Sequence, residues 1–178
     1  MSLLRDMAIN SKTLKYIEDM IEKAGFEMKG LKMCELGNQK MVSNHPNSVT
    51  AKQYFSSLEV KHTSIDINGK DGALKLDLGK PISLSGFDVV TNLGTSEHVK
   101  NHKECFNNIN NFCRVGGIII NVLPAKGSWL KHKCYRRYTT EWFLKLAEDK
   151  NYEILHLSDG AEEPKKTRHV YCTLRRTV

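Results

Sequence analysis

Apolar residues recur along this chain with two periods, and the periods alternate. Between residues 11 and 24, Leu14, Ile17, Ile21 and Ala24 fall on one face of a helix, with Gly25 placed to end it. Residues 31–36 read as a short strand that stops at Gly37. Helical spacing returns over 46–58 with Ala51, Tyr54, Phe55 and Leu58, and Pro46 is tolerated near the start. Residues 60–65 form a second strand ending at Asp66, 68–72 a turn, and 73–78 a short third strand. A strand over 87–93 lies between Gly86 and Gly94. Over 97–113, Cys105, Phe106, Ile109, Phe112 and Cys113 recur at helical spacing until Gly116-Gly117 breaks the pattern. The run 118–123 is nearly all apolar, which is how a parallel strand covered on both faces reads. A helix over 140–149 can be capped by Thr139 or Thr140. Glu141 suits its first-turn dipole, and Trp142, Phe143, Leu146 and Ala147 form its apolar side. Residues 152–157 and 169–174 are strands joined by a polar segment too short for a crossover helix, so this pair is antiparallel.

Strands alternating with helices predict an α/β fold. Its doubly wound, mostly parallel, seven-stranded sheet ends in an antiparallel C-terminal strand and carries helices on both faces. At roughly 100–200 residues per domain, 178 residues make one domain, 1–178. Residues 1–28 form an N-terminal helical segment and 30–176 the sheet core. No apolar run approaches the roughly 20 residues a bilayer span needs, and the first residues lack the apolar run of a secretory signal. The five cysteines are widely spaced, without a CxxC pair. They read as reduced, mostly buried thiols of a cytoplasmic protein with no membrane partner.

Ligands of such sheets bind beyond the carboxyl ends of the strands, where the strand order reverses. Those positions hold Glu35-Leu36-Gly37-Asn38-Gln39, Asp66-Ile67, Asp77-Leu78 and Asn92-Leu93-Gly94-Thr95-Ser96-Glu97-His98. The set suits a nucleoside with a charged tail. A glycine at the first turn admits a ligand close to the backbone. A carboxylate after the second strand can accept from both ribose hydroxyls, and a further acid from an adenine amino group. Nicotinamide dinucleotide is disfavoured because the first turn lacks the second and third glycines of GxGxxG. No GxxxxGK[ST] occurs, so a P-loop is excluded.

These pieces together resemble the class I S-adenosylmethionine-dependent methyltransferases, which have a Rossmann-like sheet. The matching segments are Met33-Cys34-Glu35-Leu36-Gly37, Ser64-Ile65-Asp66, Leu76-Asp77-Leu78, Phe87-Asp88-Val89-Val90-Thr91-Asn92-Leu93 and Cys113-Arg114-Val115-Gly116-Gly117-Ile118-Ile119-Ile120. They follow the family's order over about residues 30–175. The resemblance implies S-adenosyl-L-methionine as cofactor, with Glu35, Leu36, Gly37 and Asn38 cradling its methionine part. Asp66 with Ile67 would hold the ribose, Asp77 and Leu78 would meet the adenine, and Asn92, Leu93 and Gly94 would line the methyl-donor side. Of the two or three glycines usual in the family's first loop, this chain keeps Gly37 alone.

Methyl transfer from a sulfonium needs mainly alignment of donor and acceptor. If a base is used, His98 and His132 are the candidates, because imidazole titrates near neutrality. Glu97 could orient one of them or meet substrate. The segment 124–138 is long for a connection and combines basic with aromatic residues, so Trp129, Tyr135 and Tyr138 are candidate acceptor contacts. His98, His102 and Cys105 share a helical face, but neither HExxH nor a second ligand pair accompanies them, and no metal is expected. The expected function is methyl transfer to a small-molecule O or N acceptor. The formal charge of +7 keeps an alternative open: a non-catalytic nucleic-acid-binding module with a decayed cofactor pocket, or an RNA methyltransferase.

Overall fold

A computed structural model describes residues 8–42, 49–128, 134–160 and 168–178. Its elements are α1 (Ser11–Lys23), β1 (Lys32–Leu36), α2 (Ala51–Ser57), β2 (Lys61–Asp66), β3 (Leu74–Lys75), β4 (Phe87–Leu93), α3 (His102–Phe112), β5 (Cys113–Pro124), α4 (Thr140–Lys150), β6 (Tyr152–Asp159) and β7 (His169–Arg176). The strands form one sheet in the order β3-β2-β1-β4-β5-β7-β6. β1 to β5 pair in parallel, while β7 pairs antiparallel with both β5 and β6. The chain runs from β1 outward to β3 and returns to β4 beside β1. The reversal therefore falls between β1 and β4.

Side-chain alternation in the central strands builds two cores, one on each face. Ile118, Ile120 and Val122 of β5 join Met33, Val89, Phe55, Ile17 and Ile21 on the α1–α2 face. Ile119 and Leu123 point the other way, to Cys34, Val90, Phe106, Ile109, Phe112 and Phe143 on the α3–α4 face. Both faces of β5 are covered, which is why its sequence carries almost no polar residue. Local signals set the helix ends. Gly25, at φ +81, ends α1, and the Phe26 amide returns to the Ile21 carbonyl at 3.0 Å as in a Schellman motif. Thr50 and Gln53 form a capping box on α2.

The largest differences from the element boundaries the sequence predicts lie in β3, α2, α3 and β5. The third strand stops at Lys75, because Asp77 turns the chain by accepting from the Gly79 amide at 2.9 Å. The following segment has no helix of its own. Asn108 of α3 anchors it, donating to the carbonyls of Leu78 and Lys80 and accepting from the Ile82 amide. α3 begins at His102, since Ser96–His98 form a separate 3₁₀ turn and the Asn101 side chain caps the helix. β5 starts five residues early at Cys113 and crosses an irregularity opposite Phe87–Val89. Of the helix expected over 46–58, the described part is Ala51–Ser57. Among the described residues, no helix is long and apolar enough to cross a membrane.

Candidate functional site

The carboxyl ends of β1, β2 and β4 are stitched together by their own loops. The Gly37 amide donates to the Ile65 carbonyl at 2.7 Å, tying the end of β1 to β2. Asp66 accepts the Asn38 amide on Oδ2 at 3.0 Å and the Asn68 amide on Oδ1 at 2.9 Å. One carboxylate thus organises both the first loop and the turn after β2. The Asn38 side chain donates outward to the Lys70 carbonyl and to Asp71 Oδ2. Asp77 lies in the turn beyond β3, Leu78 is buried behind it, and Ile67 is 70 % exposed.

Between β1 and β4 the crevice is filled from within. Gln39 is only 6 % exposed. Its Nε2 donates to the Leu93 carbonyl at 3.1 Å, with Thr95 Oγ1 at 3.5 Å. Thr95 Oγ1 in turn donates to the Leu36 carbonyl at 2.8 Å. Gly37 sits at φ +85, and a Cβ there would lie 2.7 Å from Thr95 Oγ1 and 2.9 Å from Gln39 Nε2.

Two glutamates lie beneath this surface. The Glu35 carboxyl is buried and accepts from Ser64 Oγ at 3.0 Å, and its Oε1 has no partner. Burial pushes its pKa up to about 8, against a smaller downward pull from the Ser64 hydroxyl and the Gln39 amide. Its neighbour His62, 3.8 Å away and stacked on Phe55, is driven down to about 4 by burial and by Lys52. Glu97 is likewise buried, with Oε2 unpartnered and its pKa raised by burial to about 8. His98, with 39 % of its side chain exposed, lies 3.8 Å from Glu97 Oε1. The Glu97 carbonyl accepts the Tyr135 amide at 2.8 Å, fastening the segment before α4 to the end of β4.

These shifts give stability a definite pH dependence. Between about 4.5 and 8 the folded chain keeps protons on Glu35 and Glu97 that the unfolded chain has released, so stability falls as pH rises. His62, and His102 with a pKa also lowered to about 4, act oppositely between about 4 and 6.5. The two effects oppose each other up to about pH 6.5, and above it the carboxyls dominate. Denaturation midpoints are therefore expected to drop from pH 6.5 to 8, and Glu97→Gln to flatten that drop. An unchanged slope would show that Glu97 is not the group responsible.

Two of the residues chosen from sequence, Asn92 and Tyr138, lie inside the protein. Asn92 is fully buried: its amide donates to Asn121 Oδ1 and Ser96 Oγ, and its Oδ1 accepts the Ser96 amide. Ser96 Oγ pairs with the Tyr138 hydroxyl at 2.8 Å, which also meets His102 Nε2 at 2.8 Å. Tyr138 is 1 % exposed among Phe106, Trp142 and Phe143. It belongs to the core, and a buried polar relay runs from Asn121 to His102 beneath the turn after β4. Leu93 and Gly94 continue the strand end, and the Gly94 amide donates to the Val122 carbonyl. Trp129 and His132 lie outside the described residues. Tyr135, half exposed, lines a cavity of about 580 Å³ with Lys126, Cys134, Arg136, Arg137 and Trp142. The Arg136 guanidinium stands 5.8 Å from the Trp142 ring centroid. Helical spacing marks Trp142 as core, yet the structure gives it a share in this cavity wall. Among the described residues, no three His, Cys, Asp or Glu side chains cluster as metal ligands.

Neither a family model nor a curated protein matches the chain. Solved structures do. The 1,6-didemethyltoxoflavin-N1-methyltransferase of Burkholderia thailandensis superposes with a TM-score of 0.68 at 11% identity, covering 92% of this chain and 77% of its own. The N-methyltransferase NodS of Bradyrhizobium japonicum gives 0.61 at 10% identity, over 93% and 94%. An S-adenosylmethionine-dependent methyltransferase of Clostridium acetobutylicum gives 0.58 at 13% identity, over 99% and 95%. The chain has the class I methyltransferase fold. Within the methyltransferase fold, the crevice between β1 and β4 is the strand-order reversal described above, and Gln39, Thr95 and Asp66 are the side chains around it. The sequence marks Asp66 clearly. It gives no sign that Gln39 folds back into the crevice, beyond the absence of a glycine at that position.

Proposed function

We propose that this protein is an S-adenosylmethionine-dependent methyltransferase with a small-molecule acceptor. Asp66 carries the reading. It stands half-buried at the end of β2, against the first loop, whose Asn38 amide it accepts. Each of its oxygens holds one backbone amide, and a carboxylate oxygen has lone pairs for a second donor. The nucleoside end of the cofactor fits this arrangement. Asp66 would accept from the ribose hydroxyls, with Ile67 alongside. Asp77 and the backbone at Leu78 would meet the adenine. Glu35 lies buried under the first loop, where its carboxyl meets the Ser64 hydroxyl and the Gln39 amide at the methionine end.

When bound, the cofactor supplies an activated methyl group on a sulfonium. The chain's own part is alignment, for which positioning alone can be worth roughly 7–11 kcal/mol. The cavity between the end of β5 and the start of α4 would hold the acceptor. Lys126, Arg136 and Arg137 favour a negatively charged one, and Tyr135 and Trp142 a flat one. His98, partly exposed beside Glu97, is the described group suited to take a proton from it. The similarity to methyltransferases that act on small molecules, such as the didemethyltoxoflavin enzyme, supports the same class of acceptor.

A thermal melt with S-adenosylhomocysteine tests the reading. A ligand at 100 times its dissociation constant adds about 2.7 kcal/mol, which for a chain of this length raises Tm by roughly 5–11 °C. No shift at millimolar ligand would overturn the proposal.

A further inference from the structure

Given the cofactor reading, on which this rests, we infer that Gln39 is an internal plug of the cofactor's amino-acid subsite. Its carboxamide takes the place of a ligand donor group and must leave before the full cofactor can seat. Three observations carry this. First, the side-chain-free face of Gly37, where a doubly wound sheet lets a ligand approach the first loop, is met by Thr95 Oγ1 and Gln39 Nε2, 2.7 and 2.9 Å from an added Cβ; of the two, Gln39 brings the longer side chain into the crevice. Second, the carboxamide is neither at the surface nor in an apolar core. It is 6 % exposed and donates to the Leu93 carbonyl at the carboxyl end of β4. That carbonyl is an acceptor at the strand-order reversal, and an ammonium group could satisfy it equally well. Third, the nucleoside half of the site lies apart from the plug. Asp66 holds the amides of Asn38 and Asn68, and Asp77 holds that of Gly79; none of these bonds involves the Gln39 side chain.

The plug therefore divides the site. A nucleoside reaches Asp66 with Gln39 in place. A nucleoside carrying an amino-acid tail displaces the carboxamide, and its apparent affinity is reduced by the fraction of time the plug is closed. Gln39 stays anchored during this exchange, because its backbone carbonyl holds the Ala51 amide at 2.9 Å. The movement is confined to its side chain.

Titration calorimetry of the natural chain and Gln39→Ala, each with S-adenosylhomocysteine and with adenosine, tests the inference. Near-ultraviolet circular dichroism confirms that both chains are folded, and Gln39→Ser serves if alanine fails to fold. The expected result is at least tenfold tighter binding of S-adenosylhomocysteine by the variant, with adenosine affinity unchanged. Unchanged or weaker S-adenosylhomocysteine binding by the variant, with the natural chain binding normally, would overturn the plug and make Gln39 a ligand contact or scaffold. Equal gains for both ligands would also overturn it, since they would mean a general effect on the loop. If neither chain binds adenosine or S-adenosylhomocysteine, the cofactor reading itself fails.

Discussion

Replacing Asp66 with alanine is expected to weaken S-adenosylhomocysteine binding about 100-fold, read by titration calorimetry. A hydrogen bond to a charged acceptor is worth about 1.5–3 kcal/mol, and two ribose hydroxyls would lose theirs together. At about 1.4 kcal/mol per tenfold, one such loss already gives an order of magnitude and two give the predicted effect. The same substitution strips the Asn38 and Asn68 amides of their acceptor, so the first loop loosens as well. Asp66→Asn keeps the shape without the charge and should fall between the two. Full retention of affinity by Asp66→Ala would remove the ribose from this position.

Gly37→Ala is expected to lose more stability than Gly25→Ala, although both glycines occupy the left-handed region, at φ +85 and +81. Each alanine incurs a backbone cost of about 1–3 kcal/mol. At Gly25 nothing lies within 4 Å of the new methyl, whereas at Gly37 it meets Thr95 Oγ1 and Gln39 Nε2 below 3.0 Å. Pushing Thr95 aside also breaks its bond to the Leu36 carbonyl, adding about 1 kcal/mol. Urea midpoints of the two variants measure the difference. Equal losses would mean the crevice yields freely and Gly37 is required for its backbone alone. The comparison matters because this glycine is demanded by the protein's own side chains, whatever ligand the site takes.

The sequence made the frame legible where one strand or helix explains itself. The apolar run of β5 announced a strand covered on both sides, and Ile118, Ile119 and Ile120 indeed alternate between the two cores. Gly25 and the polar 158–168 connection predicted a helix end and an antiparallel closing pair, and both are present. What stayed hidden depends on residues far apart in the chain. Asn108 does the work of a missing helix by bonding Leu78, Lys80 and Ile82. Tyr138, in a basic and aromatic segment, looks like a substrate contact, yet Ser96 and His102 draw its hydroxyl into the core. Gln39 looks like a loop residue until the Leu93 carbonyl, 54 positions away, becomes its partner. Periodicity reports which side of an element is apolar. It does not report which distant polar atom a buried amide will find.

The sheet order has a consequence for how the protein is made. β7 lies between β5 and β6, so β6 has no partner when it leaves the ribosome and cannot join the sheet until residues 169–176 follow. Until then the flank of β5 is an open backbone ladder along an apolar strand, a template for pairing with a neighbouring nascent chain. Slow translation through the polar stretch just before β7 would lengthen that exposure. Synonymous codon changes there are a route by which yield could vary with no change in the finished molecule.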